Sequence, residues 1–132
     1  MRATTDWFRD RKWGVFCHYL GAAPSSGGGA ELTAAAWNAQ IDAFDAVGLA
    51  NQLAEIGAPY LFITVGQNSG HYLAPNATYD RHVGIQPSKC SRRDLVKELA
   101  EALQPRDTAL LVYLPSGAPA ADPIAVERLG WA

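Results

Sequence analysis

The densest cluster of hydrogen-bonding side chains is Gly66-Gln67-Asn68-Ser69-Gly70-His71, immediately after the apolar run 60–65. Each amide offers both a donor and an acceptor, and hydroxyl groups can play either part, so the cluster suits a polyhydroxylated ligand. A glycine-bounded turn is the plainer alternative. His18 closes an earlier apolar run, where it can hydrogen-bond a substrate hydroxyl or sit in the core satisfied by backbone; the residue types leave both open. Trp37 and Tyr72 can lay a flat apolar face against the C–H face of a ring, or simply anchor their loops.

Other chemistries lack their patterns. The order G-x-x-S-G at 66–70 is not the G-x-S-x-G of a serine-hydrolase elbow. The triple glycine at 27–29 belongs to neither phosphate-binding glycine pattern and reads as a surface tip, so no cofactor is expected. His18, His71, His82 and Cys90 form no pair with ligand spacing on a helix or hairpin, and no metal is expected. Cys17 is a poor nucleophile candidate because its neighbour His18 should face the other way. Cys17 and Cys90 fit no disulfide framework and are expected to be free and buried. Asn76-Ala77-Thr78 is a formal glycosylation acceptor, relevant only to a secreted protein.

The whole chain sets the frame for these candidates. Its 132 residues, 48% hydrophobic, can bury one sizeable core in a single domain. Eleven basic and 13 acidic residues give a net charge of −2, which offers no basic stripe for phosphates, so no nucleic-acid partner is expected. No apolar run reaches the roughly 18 residues of a membrane span. Residues 1–6 carry no signal-like apolar stretch, and the expectation is a soluble, non-exported chain, cytoplasmic by default.

The elements that must position the polar residues follow from periodicity. Residues 13–19 are short, aromatic and β-branched and read as a buried strand, preceded by one or two helical turns at 5–11. Asp45 opens a helix over 46–56 with Leu49, Leu53 and Ile56 as its apolar face, and Gly57 stands where a C′ glycine belongs. Residues 60–65 are apolar on both alternating faces, as in a parallel strand covered on both sides. The stretch 66–90 shows no period. Ser91-Arg92-Arg93-Asp94 reads as a capping box for a helix over 92–103, with Leu95, Leu99 and Leu103 on one face. Residues 108–114 are a third buried strand, and 126–131 resemble a helix cut short.

Strand, loop, helix, strand, loop, helix, strand is the repeat of an α/β fold with a parallel sheet. A complete (β/α)8 barrel of the TIM type takes about 250 residues, so three strands match its first portion and the barrel is expected to be incomplete. Two open sheet edges then need cover, from the remainder of a barrel or from an oligomeric partner. The long loops, 20–45 and 66–90, both follow strands, and such length without structure is usually functional. Ligands of parallel sheets bind at that end.

Trp7-Phe8-Arg9-Asp10 through Trp13-Gly14-Val15-Phe16-Cys17-His18-Tyr19 is similar to the W-F-x-x-A-K-F-G-I-F-I-H-W that opens the catalytic barrel of the α-L-fucosidases, glycoside hydrolase family 29. Phe44-Asp45 with the following helix and Gly57-Ala58-Pro59-Tyr60 resembles F-D-A-x-x-W-A-x-x-A-K-x-A-G-A-K-Y, and Arg93-Asp94-Leu95-Val96-Lys97-Glu98-Leu99 resembles R-D-L-V-x-E-L. In order, these matches cover nearly the whole chain. The resemblance implies that residues 1–132 are the N-terminal portion of a glycoside hydrolase-like barrel. It also implies retaining hydrolysis of α-L-fucosides or related glycosides in the full-length protein, with two carboxylates about 5–5.5 Å apart. Neither is placed in this chain, since the family's nucleophile follows the fourth strand. No catalytic residue is therefore expected here, and the chain alone is expected to be inactive.

What the resemblance carries over is carbohydrate binding, with His18 matching the histidine of the family's H-W pair and Trp37 the tryptophan of its E-W-Y loop. Together with the polar cluster, the expected substrate-binding residues are His18, Trp37, Gln67, Asn68 and His71. There are departures. The family's H-H-D-G-F is replaced by Gln67-Asn68-Ser69-Gly70-His71, so two imidazoles become neutral amides, Tyr19 stands where tryptophan is usual, and Ala36 replaces a glutamate. An inactive carbohydrate-binding relative is accordingly the alternative reading, and a small self-sufficient open α/β domain is a third.

Overall fold

The computed structural model describes residues 4–21, 32–67, 69–114 and 123–129. Three strands, β1 (Val15–Cys17), β2 (Tyr60–Thr64) and β3 (Ala109–Tyr113), form one parallel sheet in the order β1-β2-β3. Register pairs Phe16 with Phe62 and Phe62 with Leu111. Helix α1 (Asp6–Arg11) precedes β1; α2 (Ala34–Asp42) and α3 (Ala46–Glu55) join β1 to β2. Helices α4 (Ala77–Val83) and α5 (Leu95–Leu103) join β2 to β3, and α6 (Pro123–Leu129) follows. The α/β class and the parallel order are as expected.

The core lies between one face of the sheet and helices α3 and α5. Leu61 and Ile63 of β2 point into it and meet the layer of Ala50, Leu53, Leu95, Leu99 and Leu103, all buried. The leucine face of α5 is the expected one. Its start is not: Asp94 is the N-cap, accepting from Lys97 N at 2.9 Å, while the Ser91 hydroxyl donates to Arg93 O at 2.6 Å. The S-x-x-D pattern fitted a box one turn too early, because the aspartate expected at its far end does the capping.

Helix α3 begins on the Asp45 cap and ends as expected at Gly57, whose φ of 65° only glycine adopts without strain. Gly57 N donates to Ala54 O and Ala58 N to Leu53 O, the bond pair of a Schellman ending. The buried face is rotated from the expected one. Ala46, Ala50 and Leu53 pack inward, Leu49 is half-buried, and Ile56 is 58% exposed. Ile56 is the C-cap, already leaving the helix, and the two alanines allow a close approach to α5 that bulkier side chains would prevent.

The edge strands are less covered than expected. Phe16 is 49% exposed and Tyr113 45%, because among the described residues α1 alone reaches the face of the sheet opposite the core and it lies at the Tyr60 end. On that face Phe16, Tyr60, Phe62 and Tyr113 form a run of neighbouring rings, with Phe16 and Phe62 centroids 5.6 Å apart. Phe8 of α1 lies over the Tyr60 end at 4.9 Å. Arg11 fixes α1 there by a two-pronged bond to the Asp107 carboxylate, at 3.0 and 3.1 Å.

Both stretches read as irregular contain a helix. Thr33 caps α2 and Asn76 caps α4, each side chain accepting a backbone N–H three residues on. Asn76, the formal glycosylation acceptor, thus has its Oδ1 engaged by Tyr79 N at 2.9 Å. Helix α2 has alanine at four of its nine positions and α4 is mostly polar, so neither shows the apolar period by which a helix is read from sequence.

Candidate functional site

His18 leaves the end of β1 and Gln67 stands three residues beyond β2. Parallel pairing brings those ends together, and Tyr19 N secures them by donating to Thr64 Oγ1 at 2.8 Å. His18 Nδ1 lies 3.0 Å from Gln67 Oε1. An amide oxygen only accepts, so the imidazole donates from Nδ1 and its Nε2 is the acceptor of the neutral ring. His18 is exposed and its ring stands against Phe16, with centroids 4.7 Å apart. The rim therefore presents an imidazole acceptor beside an amide donor.

The backbone under Gln67 is unusual. Gly66 has φ 98°, and a Cβ there would stand 2.0 Å from His71 O, so the position demands glycine. Gln67 has φ 44° without being glycine, a conformation that costs on the order of 1 kcal/mol or more and that clusters at functional sites. The turn closes with Ser69 N donating to Gly66 O at 2.9 Å.

Beneath the rim lies a second layer. Trp37, carried by α2, is 0% exposed, and its indole N–H donates to Tyr72 O at 2.9 Å. Tyr19 meets it edge-on at 5.5 Å and His71 lies against it at 5.5 Å with 30° between the planes. His71 is 2% exposed, with Nδ1 3.1 Å from Ser69 O. Of the five residues expected to line the site, His18 and Gln67 meet at the accessible rim. Trp37 and His71 stack together in the interior, presenting neither face to solvent, and Asn68 lies outside the described residues. Tyr72, the other aromatic considered, is buried too and meets Tyr79 edge-on at 5.6 Å.

The titratable groups around this layer are perturbed by recognisable causes. Burial pushes the Tyr19 hydroxyl up, partly opposed by the nearby Arg93 charge. Burial also raises the Cys17 thiol, which is half-buried and not fully buried as expected, since it lies on an edge strand. Cys90 is pushed up to about 11 by burial first and then by the Asp80 carboxylate. Neither thiol is activated as a nucleophile. Among the described residues no three His, Cys, Asp or Glu side chains cluster to hold a metal ion. Among the described residues no helix is long and apolar enough to cross a membrane.

One contributor escaped the sequence reading. Arg93, taken only as part of a helix start, donates to Ile41 O, Asp42 O and Phe44 O and pairs with Glu98. The signal available was an arginine directly before a helix with a glutamate five residues on, a spacing shared by many surface pairs.

No model of a known protein family matches the chain, and no curated protein does. Solved structures do. An α-L-fucosidase of glycoside hydrolase family 29 from Bacteroides thetaiotaomicron superposes with a TM-score of 0.62 at 22% identity, over 99% of this chain and 35% of its own. A bacterial fucosidase with a monovalent iminocyclitol inhibitor superposes at 0.60, also at 22% identity, over 95% of this chain and 34% of its own. The chain has the fold of the matched part of an α-L-fucosidase. It spans about a third of the length of these fucosidases. A further fucosidase structure, trapped as a covalent intermediate, gives a TM-score of 0.59 at 22% identity, over 95% of this chain and 34% of its own. The fucosidase fold thus extends over nearly all of the sequence in which the motif resemblance was read.

Proposed function

We propose that this chain is the sugar-binding first portion of an α-L-fucosidase-like (β/α)8 barrel, with the hydrolytic carboxylates contributed from beyond the three strands described. The observation that supports it most is the His18–Gln67 pair at the ends of two adjacent parallel strands. In such folds ligands bind at that end. His18 Nε2 accepts from a sugar hydroxyl and the Gln67 amide donates to a neighbouring hydroxyl oxygen, with Asn68 beside them in sequence. Trp37 and His71 support this edge from beneath. Hydrolysis in the complete protein follows the retaining course, in which one carboxylate attacks the anomeric carbon and the other serves as acid and then base. The open face with its ring row is the inner wall of that barrel, covered by its remaining strands.

A second reading is a barrel that binds carbohydrate without cleaving it. It is favoured by Gln67 itself, because a neutral amide replaces an imidazole that could protonate. Titration of the 132-residue chain with L-fucose, followed by 15N–1H NMR, tests the shared part of both readings. Shifts concentrated at His18 and Gln67, abolished by His18→Ala, are expected. A folded chain with no shift at millimolar sugar overturns the assignment. Turnover of an aryl α-L-fucoside by the complete protein separates the two readings.

A further inference from the structure

Helix α2 carries Trp37 into the layer beneath the rim, yet it lies outside the sheet and follows a stretch outside the described residues. Something must fix its position. The last carbonyls of a helix have no partner within it and form its negative pole, so a cation placed there satisfies them and is attracted to them. Arg93 fills that place from another part of the chain: Nη1 donates to Ile41 O at 2.5 Å, Asp42 O at 3.1 Å and Phe44 O at 3.0 Å. The opposite edge of the guanidinium is braced by Glu98, with Nε 2.9 and 3.0 Å from the two carboxylate oxygens and Nη2 2.6 Å from one of them. Only a planar fork grips carbonyls on one edge and a carboxylate on the other.

Ile41 stands one turn from Trp37 on the same face, and both are fully buried. The neighbouring residue adds a second tie, because Asn38 Oδ1 accepts from Arg92 N at 2.9 Å. We propose that Arg93, braced by Glu98, is a positioning residue: by holding the C-terminal carbonyls of α2 it keeps the Trp37 indole on the Tyr72 carbonyl and against His71. The placement of Trp37 stands on geometry alone. Its consequence for sugar affinity rests on the reading of the rim proposed above.

The test reads the Trp37 indole N–H in 15N–1H spectra of the full 132-residue chain, assigned with Trp37→Phe. In Arg93→Gln the indole signal shifts and its hydrogen exchange accelerates at least ten-fold. In Arg106→Gln it does neither, although Arg106 also bonds a helix carbonyl, Ala102 O, and joins Asn51. Arg93→Lys recovers part of the protection, since an ammonium reaches carbonyls without engaging Glu98 in a fork. A folded Arg93→Gln chain with unchanged Trp37 exchange overturns the proposal, as does equal acceleration by Arg106→Gln. If Arg93→Gln does not fold, Glu98→Gln removes the brace alone; faster Trp37 exchange supports the proposal and unchanged exchange overturns it. L-fucose affinity is measured in parallel. A weaker affinity in Arg93→Gln links the clamp to the rim, whereas absent binding in the parent chain sinks the carbohydrate reading and leaves the Trp37 result to decide the positioning role.

Discussion

The two faces of the sheet are both apolar and end in different states. On one, Leu61 and Ile63 meet Leu53, Leu95, Leu99 and Leu103 and no water reaches them. On the other, Phe16, Phe62 and Tyr113 stand ring to ring with α1 covering only the Tyr60 end. A finished core gains from burial already made, while an open aromatic face holds gain in reserve for whatever covers it. Aliphatic side chains dominate the first and aromatic rings the second, and rings retain favourable edge contacts with one another even when half wet.

The largest test of this contrast is truncation on each side. Leu99→Ala in the closed face is expected to cost about 2–5 kcal/mol of unfolding free energy, because it removes buried methylenes and leaves a cavity. Phe16→Ala on the open face should cost about 1 kcal/mol or less, since half of its ring is already in water. Urea unfolding of both variants at low protein concentration makes the comparison, and equal costs would erase the distinction between the faces.

A second expectation concerns association. If the open face is the sticky one, Phe16→Lys combined with Tyr113→Lys lowers self-association in sedimentation velocity, while Val47→Lys, also at an exposed apolar residue but on α3, does not. A parent chain that is monomeric at high concentration contradicts this.

Acid releases both braces and salt distinguishes them. Arg93 holds the Glu98 carboxyl below its ordinary value on the closed side, and Arg11 does the same to Asp107 beside α1. Folded values that are lowered mean that both pairs stabilise above the ordinary carboxylate range, and that this stability disappears as pH falls through the folded values. Added salt should weaken the Arg11–Asp107 contribution more, since the Asp107 side chain is largely in solvent and Glu98 less so. Stability measured against pH at low and high salt, with Arg11→Gln and Arg93→Gln, resolves the two contributions.

The smallest expected effect is chemical. Native Cys17 should alkylate slowly and Cys90 far more slowly, because Cys90 is buried and its thiol is pushed to about 11. Mass spectrometry after a timed iodoacetamide exposure reads the order, and faster labelling of Cys90 would contradict the packing described around it.

How legible these features were depended on their local physics. Residues 60–65 and the leucines of α5 could be read because an apolar run and a leucine at every fourth position have few alternative explanations. Helix α2 could not, since alanines fit either side of a helix and its largest anchor, Trp37, looks in sequence like a loop aromatic. Helix α4 was hidden by polar residues whose cap, Asn76, also fits a glycosylation motif. The meeting of His18 with Gln67 was legible because adjacent parallel strands deliver their ends to the same side. The interior placement of Trp37 and His71 was not, because it depends on α2 folding back and on a turn whose sign is set by Gly66.

That buried indole has an optical consequence. Among the described tryptophans, Trp7 and Trp13 are open to solvent, and Trp37 is sealed against an imidazole. Iodide should therefore dim the emission of the first two and spare a blue-shifted component from the third. The chain contains its own label-free lamp beneath the rim, one that brightens or fades as the layer around it tightens or loosens.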